Sequence, residues 1–167
     1  MYKYIKFFEE LSIEDIPQVG GKNASLGEMY HHLGPKGVNL PNGAATTADA
    51  YRYFLEAAGL NQRIIETLHG LDVNNMHDLA SRAQAIRDMI VKAKLPEDFA
   101  EEIVRGYREL CQKCGHDDDM VVAIRSSATA EDLPNASFAG QQATFLNIKG
   151  EDEVVKSVKE CIASLFT

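Results

Sequence analysis

The sequence predicts an α+β domain, a small sheet with several packed helices. Three observations predict it. Long stretches in the middle of the chain repeat apolar residues every three or four positions, which is the period of one helix face. Short runs of β-branched and aromatic residues stand near both ends, the composition of strands. Hydrophobic residues make up 45% of the 167-residue chain and charged residues 25%, which is enough to close a core without disulfides or metals.

Taken in order, residues 3–8 (KYIKFF) read as a short strand. A loop with Gly20 and Gly21 leads into a helix over Lys22–Leu33, where Leu26, Met29, Tyr30 and Leu33 share a face. GPKGVNLPNGAATT is turn-rich, with an extended piece around Val38–Leu40. Asp49–Ala58 is helical, with Tyr51, Phe54, Leu55 and Ala58 on one side and Gly59 as its stop. A short helix follows near Gln62–His69. Met76–Ala93 carries the longest stripe: Met76, Leu79, Ala80, Ala83, Ile86 and Ile90. Pro96, Glu97 and Asp98 open the next helix, because proline suits its first turn and acidic charge suits the positive end of the dipole. That helix runs to about Cys114 and buries Phe99, Ile103, Tyr107 and Leu110. After the polar turn CGHDDD the period changes. Val121–Ile124 and Thr144–Ile148 read as strands, with a small-residue loop over 126–142 between them. Glu151–Phe166 is a last helix, with Val154, Val158, Cys161, Ile162 and Leu165 inward.

Charge and cysteine content exclude several classes. Net charge is −8, so the surface as a whole repels nucleic acid and anionic membranes, and neither is expected as a partner. Three cysteines form no regular framework, which argues against a secreted disulfide scaffold and fits a reducing cytoplasm. The first residues carry scattered charges and no apolar signal core. No run approaches the ~18 apolar residues that span a bilayer.

Two segments could grip an anion. The first strand of the second half delivers Arg125, whose planar fork of donors suits phosphate oxygens. It is followed by a loop rich in small residues, whose amides can approach an anion closely. Ser126, Ser127, Thr129 and Ser137 add hydroxyl donors, and Gly140 adds backbone freedom. From chemistry alone, a plain surface loop with one solvated arginine is equally consistent. The second segment is VGGKNASLGEM, in which Lys22 stands at a helix start with free N–H groups and a positive dipole end. The Walker spacing is absent, and a tight turn into a core helix accounts for this segment as well. Cys111, Cys114 and His116 make half a zinc pattern. The second pair is missing, so no metal site is assigned. His31 and His32 lie on a helix surface without an HExxH pattern, and the acidic run 117–119 reads as a solvated turn.

The blocks VGGKNASLGEM, LPNGAATTADAYRYFL and VAIRSSATAEDLPNASFAGQQATFLNI resemble the amino-terminal ATP-binding region of the phosphoenolpyruvate synthases, in the pyruvate phosphate dikinase group. NQRI and the closing ASLF extend the resemblance over essentially the whole chain, and residues 70–118 carry it least. The resemblance implies the amino-terminal subdomain of an ATP-grasp nucleotide-binding domain, partial and without the remainder of the enzyme. It implies ATP and Mg²⁺ as cofactors, a phosphorylated histidine, and conversion of pyruvate, ATP and water to phosphoenolpyruvate, AMP and phosphate. By the same resemblance Lys22 contacts the nucleotide and Arg125 grips the triphosphate as the catalytic residue. The 126–142 stretch, with Ser126, Ser137, Gly140 and Gln141, is then the loop that closes over the phosphates. The metal ligands, the histidine and the pyruvate site are expected in the rest of the same enzyme chain, so this piece is expected to be inactive alone. Alternatives are a related dikinase or rifampin phosphotransferase, a stand-alone nucleotide- or partner-binding module, and a zinc-stabilised module.

Overall fold

The computed structural model describes residues 2–116, 119–129, 132–133, 136–137 and 143–166; for 132–133 and 136–137 only the backbone is described. Strand β1, Ile5–Phe7, pairs antiparallel with β2, Ala44–Thr46, with Ile5 opposite Thr46 and Phe7 opposite Ala44. The extended piece expected at Val38–Leu40 is therefore misplaced by a few residues. Small alanines hid β2 from a composition test, and its register places Ala45 in the core. Phe8 turns out of β1 into a 3₁₀ turn, so the strand is shorter than residues 3–8.

Helix α1, Ile16–Leu33, is broken at Gly20, whose φ of 79° and ψ of 162° leave the helical region. Its buried face is not the one expected. Val19, Ala24 and Gly27 point inward, whereas Met29 is exposed and Leu26, Tyr30 and Leu33 are half-buried. Proximity explains the change. A Cβ on Gly27 would collide with Leu11, so the helix lies against that segment through its smallest residues.

Helix α2, Ala48–Ala57, starts on the Thr47 hydroxyl, which accepts from the Ala50 amide, and buries Ala50, Phe54 and Leu55. Gly59 ends it in the left-handed conformation. Helices α3, Leu60–Leu68, and α4, Met76–Lys92, follow. Ala83, Ile86 and Ile90 of α4 face inward, while Met76 and Ala80 of the expected stripe are exposed and Leu79 is half-buried, because the main core cluster meets α4 only from Ile86 onward. Helix α5, Glu97–Lys113, buries Phe99, Ile103, Tyr107 and Cys111, and Leu110 is half-buried.

Strand β3, Val122–Arg125, precedes a two-residue pairing of β4, Asp132–Leu133, with β5, Ala136–Ser137, inside the stretch expected to be loop. Strand β6, Thr144–Ile148, returns antiparallel to β3, with Arg125 opposite Thr144 and an irregularity between Val122 and Ile124. Helix α6, Glu151–Ala163, buries Val154, Cys161 and Ile162; Leu165 lies past its end and is exposed rather than inward. One core cluster joins β1 to helices α2 to α6, with Phe54, Phe99, Ile86 and Leu60 at its centre. A smaller one gathers Phe8, Leu11, Val19, Ala24 and Ala45 under α1. The Tyr107 hydroxyl donates to the Met120 carbonyl at 2.6 Å and accepts from the Gly150 amide at 3.3 Å. It thereby pins both ends of the β3–β6 hairpin to α5.

Candidate functional site

The break in α1 leaves the chain with groups to satisfy. A regular helix would send the Asn23 amide to the Val19 carbonyl, and the positive φ at Gly20 interrupts that ladder. Two substitutes replace it. The Asn23 side-chain amide donates to the Val19 carbonyl at 2.9 Å. The Asn23 backbone amide donates to the hydroxyl of Ser127 at 3.2 Å, across a sequence separation of 104 residues.

The partner segment arrives from β3. Alternation along that strand turns Val122 and Ile124 inward and leaves Ala123 and Arg125 exposed. The next residue, Ser126, is buried and offers its carbonyl to the Lys22 ammonium at 3.4 Å. Ser127 then passes directly over Gly20. Any side chain at Gly20 would fall on the Ser127 carbonyl, so this position needs glycine twice: for its φ and for the crossing. Three contacts therefore join the two segments. Both were named from sequence as separate anion-binding candidates, and the structure brings them into one place.

Lys22 and Arg125 both stand exposed at this junction, in a chain whose net charge is −8. Among the described residues, no ion pair or hydrogen bond engages the Arg125 guanidinium. Behind the junction, burial pushes the Cys161 thiol up to about 11, and the nearby Lys22 charge opposes that rise. Helix α6 thus lies near Lys22 with a neutral thiol.

The other expected site residues divide differently. Ser137 lies in β5 opposite Asp132 by backbone pairing. Gly140 and Gln141 lie outside the described residues. Cys111 is buried, Cys114 is exposed, and the His116 amide returns to the Cys111 carbonyl at 2.9 Å, so the CxxC pair forms a helix end. Among the described residues no three His, Cys, Asp or Glu side chains gather as a metal site would need. His32 bonds Glu28 on the outer surface of α1. Sequence reasoning counted Ser127 only as a further hydroxyl and missed its bond to Asn23. One signal was available: a helix entered through Gly-Gly carries no capping side chain at that point, which leaves its first amides open to a partner from elsewhere.

Residues 16–167 match the family described as pyruvate phosphate dikinase, AMP/ATP-binding domain. The chain is 50% identical over 165 residues to phosphoenolpyruvate synthase of Helicobacter pylori, covering 99% of this chain and 20% of that protein. It is also 50% identical over 165 residues to a probable phosphoenolpyruvate synthase of Methanocaldococcus jannaschii, again 99% of this chain but 14% of that protein. With the phosphoenolpyruvate synthase of Pseudomonas aeruginosa it shares 49% identity over 166 residues, 99% of this chain and 21% of that protein. The chain thus spans about a fifth or less of the length of these relatives, and it belongs to the pyruvate phosphate dikinase AMP/ATP-binding domain family.

Proposed function

We propose that this chain forms one jaw of an ATP-grasp type site, and that it does so within an enzyme converting pyruvate, ATP and water to phosphoenolpyruvate, AMP and phosphate through a phosphohistidine. The observation that carries the proposal is the convergence of Lys22 with the Arg125–Ser126 strand end, with the Lys22 ammonium 3.4 Å from the Ser126 carbonyl. Family membership and the names of the relatives support the substrate assignment.

In this reading Arg125 is the catalytic residue. Its two-pronged guanidinium takes the triphosphate oxygens and offsets charge as the phosphoryl group departs. Lys22 supplies a second, point-like charge. Ser126, Ser137, Gly140 and Gln141 belong to the loop that closes over the phosphates and removes water. The cations and hydroxyls gathered at the junction suit phosphate. A Mg²⁺ site calls for several oxygen ligands including carboxylates, and the described residues at this junction do not supply them. In this reading the metal ligands, the acceptor histidine and the pyruvate site lie in the rest of the same polypeptide, and the enzyme works in the cytoplasm. No helix among the described residues is long and apolar enough to cross a membrane.

The test is pyruvate-dependent release of AMP from ATP by the full-length gene product. Activity that requires rifampin instead of pyruvate sinks the substrate assignment. In the same enzyme, Arg125→Ala is expected to lower turnover by about a hundredfold or more, a loss of ~3 kcal/mol of transition-state contact. Its melting temperature should stay unchanged, because the side chain is exposed. Unimpaired turnover would strip Arg125 of its catalytic role.

A further inference from the structure

The geometry points to Ser127 as a positioning residue, an N-cap supplied from a distant segment that sets the Lys22 ammonium against the Arg125–Ser126 strand end. The inference rests on the nucleotide reading of this site and adds to it the part that holds the two cations in register. An ordinary N-cap comes from the residue just before the helix, and its hydroxyl takes an amide of the first turn. At Gly20 there is no side chain to do this. Ser127 takes the Asn23 amide instead, at 3.2 Å. Lys22 is the neighbour of that amide, and Ser126 and Arg125 directly precede the hydroxyl. Of the contacts that join the segments, this hydrogen bond is the one that ties backbone to side chain beside both cations.

Its surroundings leave the bond little alternative. Gly20 lets the Ser127 backbone approach closely enough for its hydroxyl to reach the helix end, where a Cβ would block it. The Asn23 side chain holds the Val19 carbonyl, so the break stays closed on its own side. The amide that an open helix end would have presented to a phosphate is thus taken by a protein hydroxyl. With that amide engaged, the charge contact to the anion comes from the two side-chain cations, and their separation becomes the quantity that matters. A triphosphate is long enough to need both; a monophosphate is not.

That difference supplies a test that a general loss of stability would not mimic. The intact protein is titrated with ATP and, separately, with AMP, as wild type, Ser127→Ala and Ser127→Thr. Losing the cap should weaken ATP binding about tenfold, the size of a typical cap contribution. AMP binding should change little, and Ser127→Thr, which keeps the hydroxyl, should restore ATP affinity. Equal weakening of ATP and AMP, or a threonine variant no better than alanine, overturns the proposal. A wild type that binds neither nucleotide overturns the nucleotide reading itself. The capping bond is then decided by exchange of the Asn23 amide with solvent, measured by NMR. Protection lost in Ser127→Ala and kept in Ser127→Thr supports the positioning role, and protection unchanged in Ser127→Ala refutes it.

Discussion

Glu102 shows how much one side chain can hold in this molecule. It is only 8% exposed, yet it is a carboxylate on a helix, a position that sequence reasoning would assign to solvent. It is buried because the start of β1 lacks sheet partners for two amides. Its Oε1 accepts the Tyr4 amide at 2.5 Å and the Ile5 amide at 3.0 Å, and Arg105 lies 3.9 Å from its other oxygen. Removing the acceptor would strand both donors inside the core. Glu102→Ala is expected to cost about 3 kcal/mol of unfolding free energy, in line with the penalty for buried groups left unpaired. Glu102→Gln, which keeps one acceptor oxygen, should cost clearly less. Chemical denaturation of the two variants decides this, and equal losses would contradict the assignment. Nothing in the local sequence marks Glu102, because its partners lie almost a hundred residues away. Arg125 is the opposite case: its place after a β-branched run and before two serines made its strand-end exposure readable from neighbours alone.

At the scale of elements, the approach to α1 depends on a local device with a pH signature. Ser12 and Asp15 bracket a 3₁₀ turn in which the Ser12 amide donates to Asp15 at 2.9 Å and the Ser12 hydroxyl accepts from the Glu14 amide. The Ser12 amide, and after it the Lys6 ammonium, hold the Asp15 carboxyl below its ordinary value of 3.8. A carboxylate depressed on folding contributes fully above that ordinary value, and its contribution is lost as pH falls through the lower folded value. Asp15→Asn should therefore cost about 1 kcal/mol at pH 7. The gap to wild type should close when melting is followed below pH 3.8. A gap independent of pH would assign the cost to something other than the charge. The helices were legible because their apolar spacing extends over several turns, as in α2 and α5. The strands β3 and β6 were legible because β-branched residues concentrate there. Strand β2 and the buried face of α1 were not. Both bury alanine or glycine at a close approach, where smallness rather than hydrophobicity decides what fits. The site divides the same way: each cationic segment could be named, but their meeting depends on a tertiary crossing over Gly20.

At the scale of the whole molecule, the two apolar clusters share β1 and β2, which supply Ile5 to one and Ala45 to the other. Sharing a sheet argues for one cooperative unfolding transition. The thiols can report it. Cys114 is exposed, while Cys111 and Cys161 are buried on different helices of the large cluster region. One thiol per chain should react quickly with an aromatic disulfide reagent in native buffer. The other two should become reactive together, at the denaturant concentration where helical circular dichroism is lost. Reaction of Cys161 before Cys111 would show that α6 detaches first. The crossing of Ser127 over Gly20 has a topological consequence at this same scale. It closes a chain loop of 104 residues with a few weak bonds. A ligand held by Lys22 and Arg125 together would act as a reversible staple across that loop. The entropy of closing so long a loop is already met by folding, so such a staple would add its binding energy to the native state alone and raise the free energy of unfolding with ligand concentration.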